Sequence, residues 1–217
     1  MNIHFICLII LGVVSIVYLT TLFFKAGVFQ FILKGCLIPL ILAVYITGAN
    51  IILLPIVLAL VFAWIGDVVL IKIDNLVCFR IGLASFLIGH IFYVIAMFEH
   101  AMPLHYPAFF ISIAVGASLG FLLIKIVKPT PEMKIPVIVY AATILLMAIS
   151  ALQLYLSQDF PQGLFGILVF TGSLCFVASD SSLAMVTFQK KPYYVFCMTT
   201  YIAAQLLITL GFCQFKI

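Results

Sequence analysis

The chain is divided into eight apolar runs, each long enough to cross a bilayer and each closed by residues that break helices or carry charge. A spanning helix needs about 20 predominantly apolar residues. The runs cover 4–24, 29–47, 50–72, 76–98, 107–127, 134–156, 163–187 and 193–214. The breaks hold Lys25 with Gly27, Gly48 with Asn50, Asp74 with Asn75, Met102-Pro103, Lys128-Pro129-Thr130-Pro131, Asp159 with Pro161, and Lys190-Lys191-Pro192. Hydrocarbon offers no solvent hydrogen bonds, so the backbone of each run must satisfy itself, and a helix does that within one segment. Pro39, Pro55 and Pro136 fall inside or near the start of runs. Membrane helices accept this because neighbours satisfy the freed carbonyls. The predicted fold is all-α: a polytopic membrane bundle of eight transmembrane helices. It forms a single integral-membrane domain over 1–217, with no linker and no convincing internal repeat.

Composition excludes the soluble classes. The chain is 67% hydrophobic and 7% charged, against about 45–50% and about 25% in soluble domains. Its net charge of +4 comes from basic residues that stand singly or in pairs. No basic patch forms, so no nucleic-acid partner is expected. The first run exceeds a signal-peptide core and lacks a basic region before it, so it is read as a retained helix. Cys7, Cys36, Cys78, Cys175, Cys197 and Cys213 fall mostly in apolar runs, with no C-x-x-C spacing. They are read as small buried hydrophobes with reduced thiols.

The basic residues also orient the bundle. Lys25, Lys72, Arg80, Lys125, Lys128, Lys134, Lys190 and Lys191 gather at the turns after runs 1, 3, 5 and 7. Lys34 lies within run 2, and the opposite side holds only Lys216. Positive residues stay cytoplasmic, so both termini are expected outside the cytoplasm. The expected membrane is the inner (plasma) membrane in a bacterium or the endoplasmic reticulum in a eukaryote.

Two of the six acidic residues, Asp67 and Asp180, lie inside apolar runs. A carboxylate in hydrocarbon costs roughly 2.5 kcal/mol or more, so it marks a functional site by default. Counting about 1.5 Å of rise per residue puts Lys34, Asp67, Tyr140, Asp180 and Tyr201 at similar depth in the cytoplasmic half. His90 and Gln205 come deeper. Each avoids desolvation only by facing the bundle interior, so convergence is expected.

The surrounding pattern narrows the chemistry. Gly82, Phe86, Gly89, His90 and Tyr93 share one face of run 4. The glycines suit close helix packing, and His90 fits either a satisfied buried histidine or a functional group. Gln205 shares a face with Tyr201 and fits either interhelical bonding or the site. No zinc-type spacing occurs, and His90 is the only histidine in a span centre, so no metal or cofactor is expected. There is no G-x-S-x-G and no phosphate-cradling glycine motif. Ser181 and Ser182 flank Asp180 where serines commonly bond back to helix carbonyls. Acid–base chemistry by two carboxylates remains, with Lys34 either pairing one of them or serving the site.

These residues resemble a known family. The pieces are the Lys34 of run 2, Gly66-Asp67, and the F-x-x-G-L-x-x-F-x-x-G-H-x-x-Y run from Phe79 to Tyr93. Further along stand Ile135-Pro136-Val137-Ile138-Val139-Tyr140, Ser179-Asp180-Ser181-Ser182-Leu183-Ala184, and Tyr201-Ile202-Ala203-Ala204-Gln205. In this order and spacing they are similar to the YhhN-like lysoplasmalogenase family of eight-span membrane proteins. The resemblance covers runs 2 to 8. It implies hydrolysis of the vinyl ether bond of lysoplasmalogens to a fatty aldehyde and a glycerophospho-base, with a lysophospholipid and membrane lipid as partners. Asp67 and Asp180 are then the expected catalytic pair. Lys34, His90, Tyr93, Tyr140, Ser179, Tyr201 and Gln205 are the expected substrate-binding or supporting residues.

That reaction suits two carboxyls in unlike settings. One protonates the alkene carbon, and the other, ionised, stabilises the oxocarbenium ion and takes a proton from water. Glycosidases divide the same labour. Two other classes compete. An intramembrane aspartyl protease also pairs aspartates, but this chain matches that class only at Gly66-Asp67. A proton-coupled transporter uses a membrane carboxyl, but usually shows repeats and interrupted helices.

Overall fold

The computed structural model describes residues 2–24, 27–72, 75–101, 104–156 and 163–215. Lys25, Asp74, Met102, Pro103, Asp159, Pro161 and Lys216 from the reading above lie outside them. The elements are α1 (Ile3–Phe24), α2 (Val28–Gly48), α3 (Leu54–Val69), a 3-10 turn (Leu70–Lys72), α4 (Leu76–Glu99), α5 (Tyr106–Val127), α6 (Pro131–Leu156), α7 (Gly163–Gln189) and α8 (Tyr194–Cys213). Among the described residues there is no strand.

Among the described residues, seven helices are long and apolar enough to cross a membrane by length and composition. The exception is α3, with 16 residues. Sequence apolarity runs from 50 to 72, but the helix starts only at Leu54, because Pro55 occupies its first turn. Proline has no N–H to lose there and its fixed φ suits a helix start. Leu53 before it is extended and is held by Tyr45, whose hydroxyl accepts from the Leu53 N–H at 2.9 Å. Sixteen α residues and one 3-10 turn together rise about 30 Å, the thickness of a hydrocarbon core.

The helix ends follow local chemistry. Asn75 caps α4, its side-chain oxygen accepting from the N–H groups of Val77 and Cys78 at 2.9 and 3.1 Å. Lys128 closes α5 in the left-handed region at φ 49°. Pro131 opens α6, three residues earlier than the apolar run suggests.

Packing places six helices in a closed ring. α2 lies on α3, α3 on α4, α4 on α6, α6 on α7, α7 on α8, and α8 back on α2. α1 sits outside the ring against α2 and α8, and α5 sits outside it against α6 and α7. Two close backbone approaches tighten the ring. A Cβ at Gly89 would stand 3.1 Å from the Ala59 carbonyl oxygen, and one at Gly172 would stand 3.0 Å from that of Ala204. Glycine at these points lets the helix backbones meet, as small residues do at membrane helix interfaces. Large apolar side chains such as Phe23, Phe24, Phe110, Phe121 and Ile135 point outward and are more than half exposed. That distribution fits lipid as the surrounding solvent.

The cysteine expectation is corrected in one respect. All six are free, but only Cys197 and Cys213 are buried, and Cys36 lies on the outer face.

Candidate functional site

The ring brings polar side chains inward from all six of its helices. Lys34 comes from α2, Asp67 from α3, His90 and Tyr93 from α4, Tyr140 from α6, Ser179 and Asp180 from α7, and Tyr201 and Gln205 from α8. They divide into two carboxyl settings and one separate pair.

Asp67 is 3% exposed. Its Oδ1 lies 3.5 Å from Lys34 Nζ, and its Oδ2 accepts from the Tyr201 hydroxyl at 2.7 Å. The Lys34 side chain is itself nearly buried, so the ion pair sits inside the ring. Local contacts fix both partners. Trp64 on α3 donates its indole N–H to the Gly35 carbonyl at 2.9 Å, tying α3 to α2 beside Lys34. Ser85 on α4 donates to the Phe62 carbonyl at 2.6 Å. The two donors on Asp67 form the hydrogen-bond pattern of an ionised carboxylate.

Asp180 stands in a different setting. Its Oδ2 accepts from the Tyr140 hydroxyl at 2.9 Å, and no described cation of Lys or Arg pairs with it. The same oxygen lies 3.8 Å from His90 Nε2. His90 Nδ1 is 2.7 Å from the Phe86 carbonyl oxygen. A carbonyl only accepts, so Nδ1 carries the hydrogen, and in the neutral ring Nε2 presents a lone pair toward Asp180. Two acceptors face each other favourably only when a proton lies between them. At 3.8 Å the two are beyond hydrogen-bond distance, and the facing lone pair suits a protonated carboxyl and opposes an ionised one.

The remaining candidates direct their hydrogen bonds away from the carboxyls. Ser179 donates to the Cys197 carbonyl at 3.1 Å. Tyr93 donates to Gln205 Oε1 at 2.6 Å. Ser181 and Ser182 bond back to the carbonyls of Val177 and Ala178, at 2.7 and 2.8 Å. Ser179, Tyr93 and Gln205 thus brace the ring near the aspartates, with their own hydrogen bonds directed elsewhere.

Several neighbours escaped the sequence reading. The Phe176 ring packs edge-on against His90 at 4.7 Å and against Tyr201 at 5.7 Å. It also tilts against Tyr93 at 6.4 Å. Cys197, Tyr194 and Met198 approach from α8. Helical spacing could have found two of them: Phe176 is four residues before Asp180, and Cys197 four before Tyr201.

Asp67 and Asp180 line one small cavity of about 30 Å³, with Lys34, Ser179 and Tyr201 in its wall. A cavity needs about 10–15 Å³ to hold a water, so there is room for one or two. A larger cavity, about 450 Å³, lies elsewhere, at the basic end between Thr130, Thr187, Lys190 and Lys191. The carboxyl cavity is the candidate site, because it gathers the buried ionisable groups Lys34, Asp67 and Asp180. Among the described residues, no three of His, Cys, Asp and Glu converge as a metal site.

The profile of the YhhN family matches residues 29–212, from the start of α2 to the end of α8. No curated protein and no solved structure matches the chain.

Proposed function

This chain belongs to the YhhN family, and on that premise we propose that it is a membrane hydrolase. Its substrate in this reading is a lysoplasmalogen, and its products are a fatty aldehyde and a glycerophospho-base. The observation that carries the reading is the unlike hydrogen bonding of two aspartates on one cavity. Asp67 receives Lys34 and Tyr201, whereas Asp180 receives Tyr140 and faces a histidine lone pair. An acid and a base placed this way divide the labour of vinyl ether cleavage, as paired carboxyls do in sugar hydrolysis.

The mechanism follows from those roles. Asp180 gives its proton to the alkene carbon one removed from the ether oxygen, and the adjacent carbon becomes an oxocarbenium ion. Asp67, ionised beside Lys34, stabilises that cation. A water adds to it and passes a proton to Asp67. The hemiacetal then collapses. Asp67 returns its proton to the departing glycerol oxygen, the carbon–oxygen bond breaks, and the hemiacetal hydroxyl proton goes back to Asp180. One water is consumed and both carboxyls are restored. Tyr140 and His90 position Asp180, and Tyr201 positions Asp67. With the basic end toward the cytoplasm, the lipid approaches from the cytoplasmic leaflet.

The test is mass spectrometry of the purified protein incubated with a mixture of alkenyl, alkyl and acyl lysophospholipids. Aldehyde released from the alkenyl species alone supports the reading. Cleavage of peptides, or acidification-driven solute uptake with no lipid product, would replace it with the protease or the transporter.

A further inference from the structure

Asp180 lines two spaces whose walls share no other residue. One is the polar cavity it forms with Asp67. The other lies outside the ring, in a groove of about 70 Å³ where α5 packs on α6 and α7. The carboxyl therefore sits in the seam between α6 and α7, reachable from the ring interior on one side and from the groove on the other.

The groove has the chemistry of a hydrocarbon site. Its wall is built from residues such as Gly120, Val137, Ala141, Ile144 and Val177. Its polar groups besides the Asp180 carboxyl are already engaged: Tyr140 donates to Asp180 and Ser181 to the Val177 carbonyl. A polar ligand would leave its own groups unsatisfied there, which disfavours it. An aliphatic chain loses nothing. Along α6 the wall runs from Val137 to Leu145, about 12 Å at the helical rise. The outer boundary, α5, buries only Gly116, Gly120 and Val127 of its 22 residues. Its other faces carry exposed Phe110, Ile111, Leu119 and Phe121. The groove thus opens beside surfaces that meet the bilayer.

We propose that the groove between α5, α6 and α7 binds the single hydrocarbon chain of a lysolipid and delivers its head-proximal end to Asp180. Gly120, Ala141 and Ala184 set the width available to the chain. At Gly120 a Cβ would stand 3.1 Å from Leu145 Cδ1, so a side chain there would crowd the α6 wall. This rests on the reading of Asp180 as the carboxyl that meets a lipid substrate. It adds which helix seam the chain takes and which residues limit it.

The test reads binding apart from hydrolysis. The full chain is reconstituted in phosphatidylcholine vesicles with a saturated lysophospholipid that carries a diazirine midway along its chain and has no vinyl ether. After irradiation, labelled peptides are mapped by mass spectrometry. Label is expected on 120–127, 137–145 and 177–184, and unlabelled lysophospholipid should displace it. Ala141→Leu, which narrows the groove, should cut labelling about tenfold or more, the size of effect one mismatched apolar group has in a pocket. The same preparations are assayed for aldehyde release from an alkenyl lysolipid. Groove labelling without aldehyde keeps this proposal and removes the hydrolase reading. Aldehyde release with label only on outward positions such as Phe110 or Phe23 overturns this proposal and keeps the hydrolase. Displacement by a long-chain aldehyde but not by lysophospholipid makes the groove a product path and also overturns it. Should Ala141→Leu fail to fold, the labelling pattern of the unaltered chain decides.

Discussion

Asp180 Oδ2 stands 3.8 Å from His90 Nε2, and that nitrogen has no hydrogen-bond partner among the described residues. The Phe86 carbonyl fixes the hydrogen on the other ring nitrogen. His90 therefore offers Asp180 a lone pair, which suits a protonated carboxyl and opposes an ionised one. His90→Phe keeps a ring against Phe176 and Tyr140 and removes the lone pair. Turnover should fall roughly 10- to 100-fold, the worth of a hydrogen bond that is long without substrate and closes with it bound. KM should hold, and the alkaline limb of the pH profile should be displaced. A lower rate with an unmoved profile would reduce His90 to packing.

Asp67 and Asp180 should behave as one unit. Asp67→Asn and Asp180→Asn preserve size and remove the charge or the transferable proton. General acid–base groups contribute about 10²–10⁴-fold, so each single variant should lose aldehyde release by at least about a hundredfold. Groups acting in one step are non-additive, so the double variant should be little worse than the poorer single. Near-normal release by either single variant sinks the two-carboxyl mechanism.

The depth of the site was readable from the sequence, because depth in a helix follows residue count alone. Lys34, Asp67, Tyr140, Asp180 and Tyr201 counted to one layer, and the structure bonds them in two groups, Lys34–Asp67–Tyr201 and Tyr140–Asp180. Their lateral partners were not readable. Nothing in spacing says that Tyr140 reaches Asp180 while Tyr201 reaches Asp67, or that Ser179 turns to a backbone carbonyl. Those choices depend on which helices neighbour each other. The place of α5 was hidden for a related reason. In lipid a helix outside the ring is as apolar as one within it, so hydropathy does not separate them. The start of α3 was missed because apolarity continues through 50–53 while the helix waits for Pro55.

The basic end carries a topological prediction. Arg80, Lys125, Lys128, Lys134, Lys190 and Lys191 sit at or near the ends of α4 to α7 on one side of the bundle. The charge rule predicts that this side is cytoplasmic. A phosphatase reporter fused after Ile217 should be active outside the cytoplasm, and a fluorescent reporter that folds only inside should stay dark. The reverse pattern would turn the site toward the other leaflet and require the lipid to approach from there.

Lys34 and Asp67 allow stability and catalysis to be separated. Their side chains are 8% and 4% exposed and 3.5 Å apart. Removing one partner of a buried pair strands the other charge, at about 3–5 kcal/mol, whereas removing both charges is often neutral. Lys34→Met and Asp67→Asn should each lower the thermal midpoint in detergent. The double variant should recover most of that loss. It should nevertheless release no more aldehyde than Asp67→Asn alone, because the base is gone whatever the stability. Lys34→Arg, which restores a cation, should keep part of the turnover that Lys34→Met loses. If the two single losses add in the double variant, Lys34 and Asp67 are not coupled, and Lys34 is left as a snorkelling residue with its ammonium at the interface.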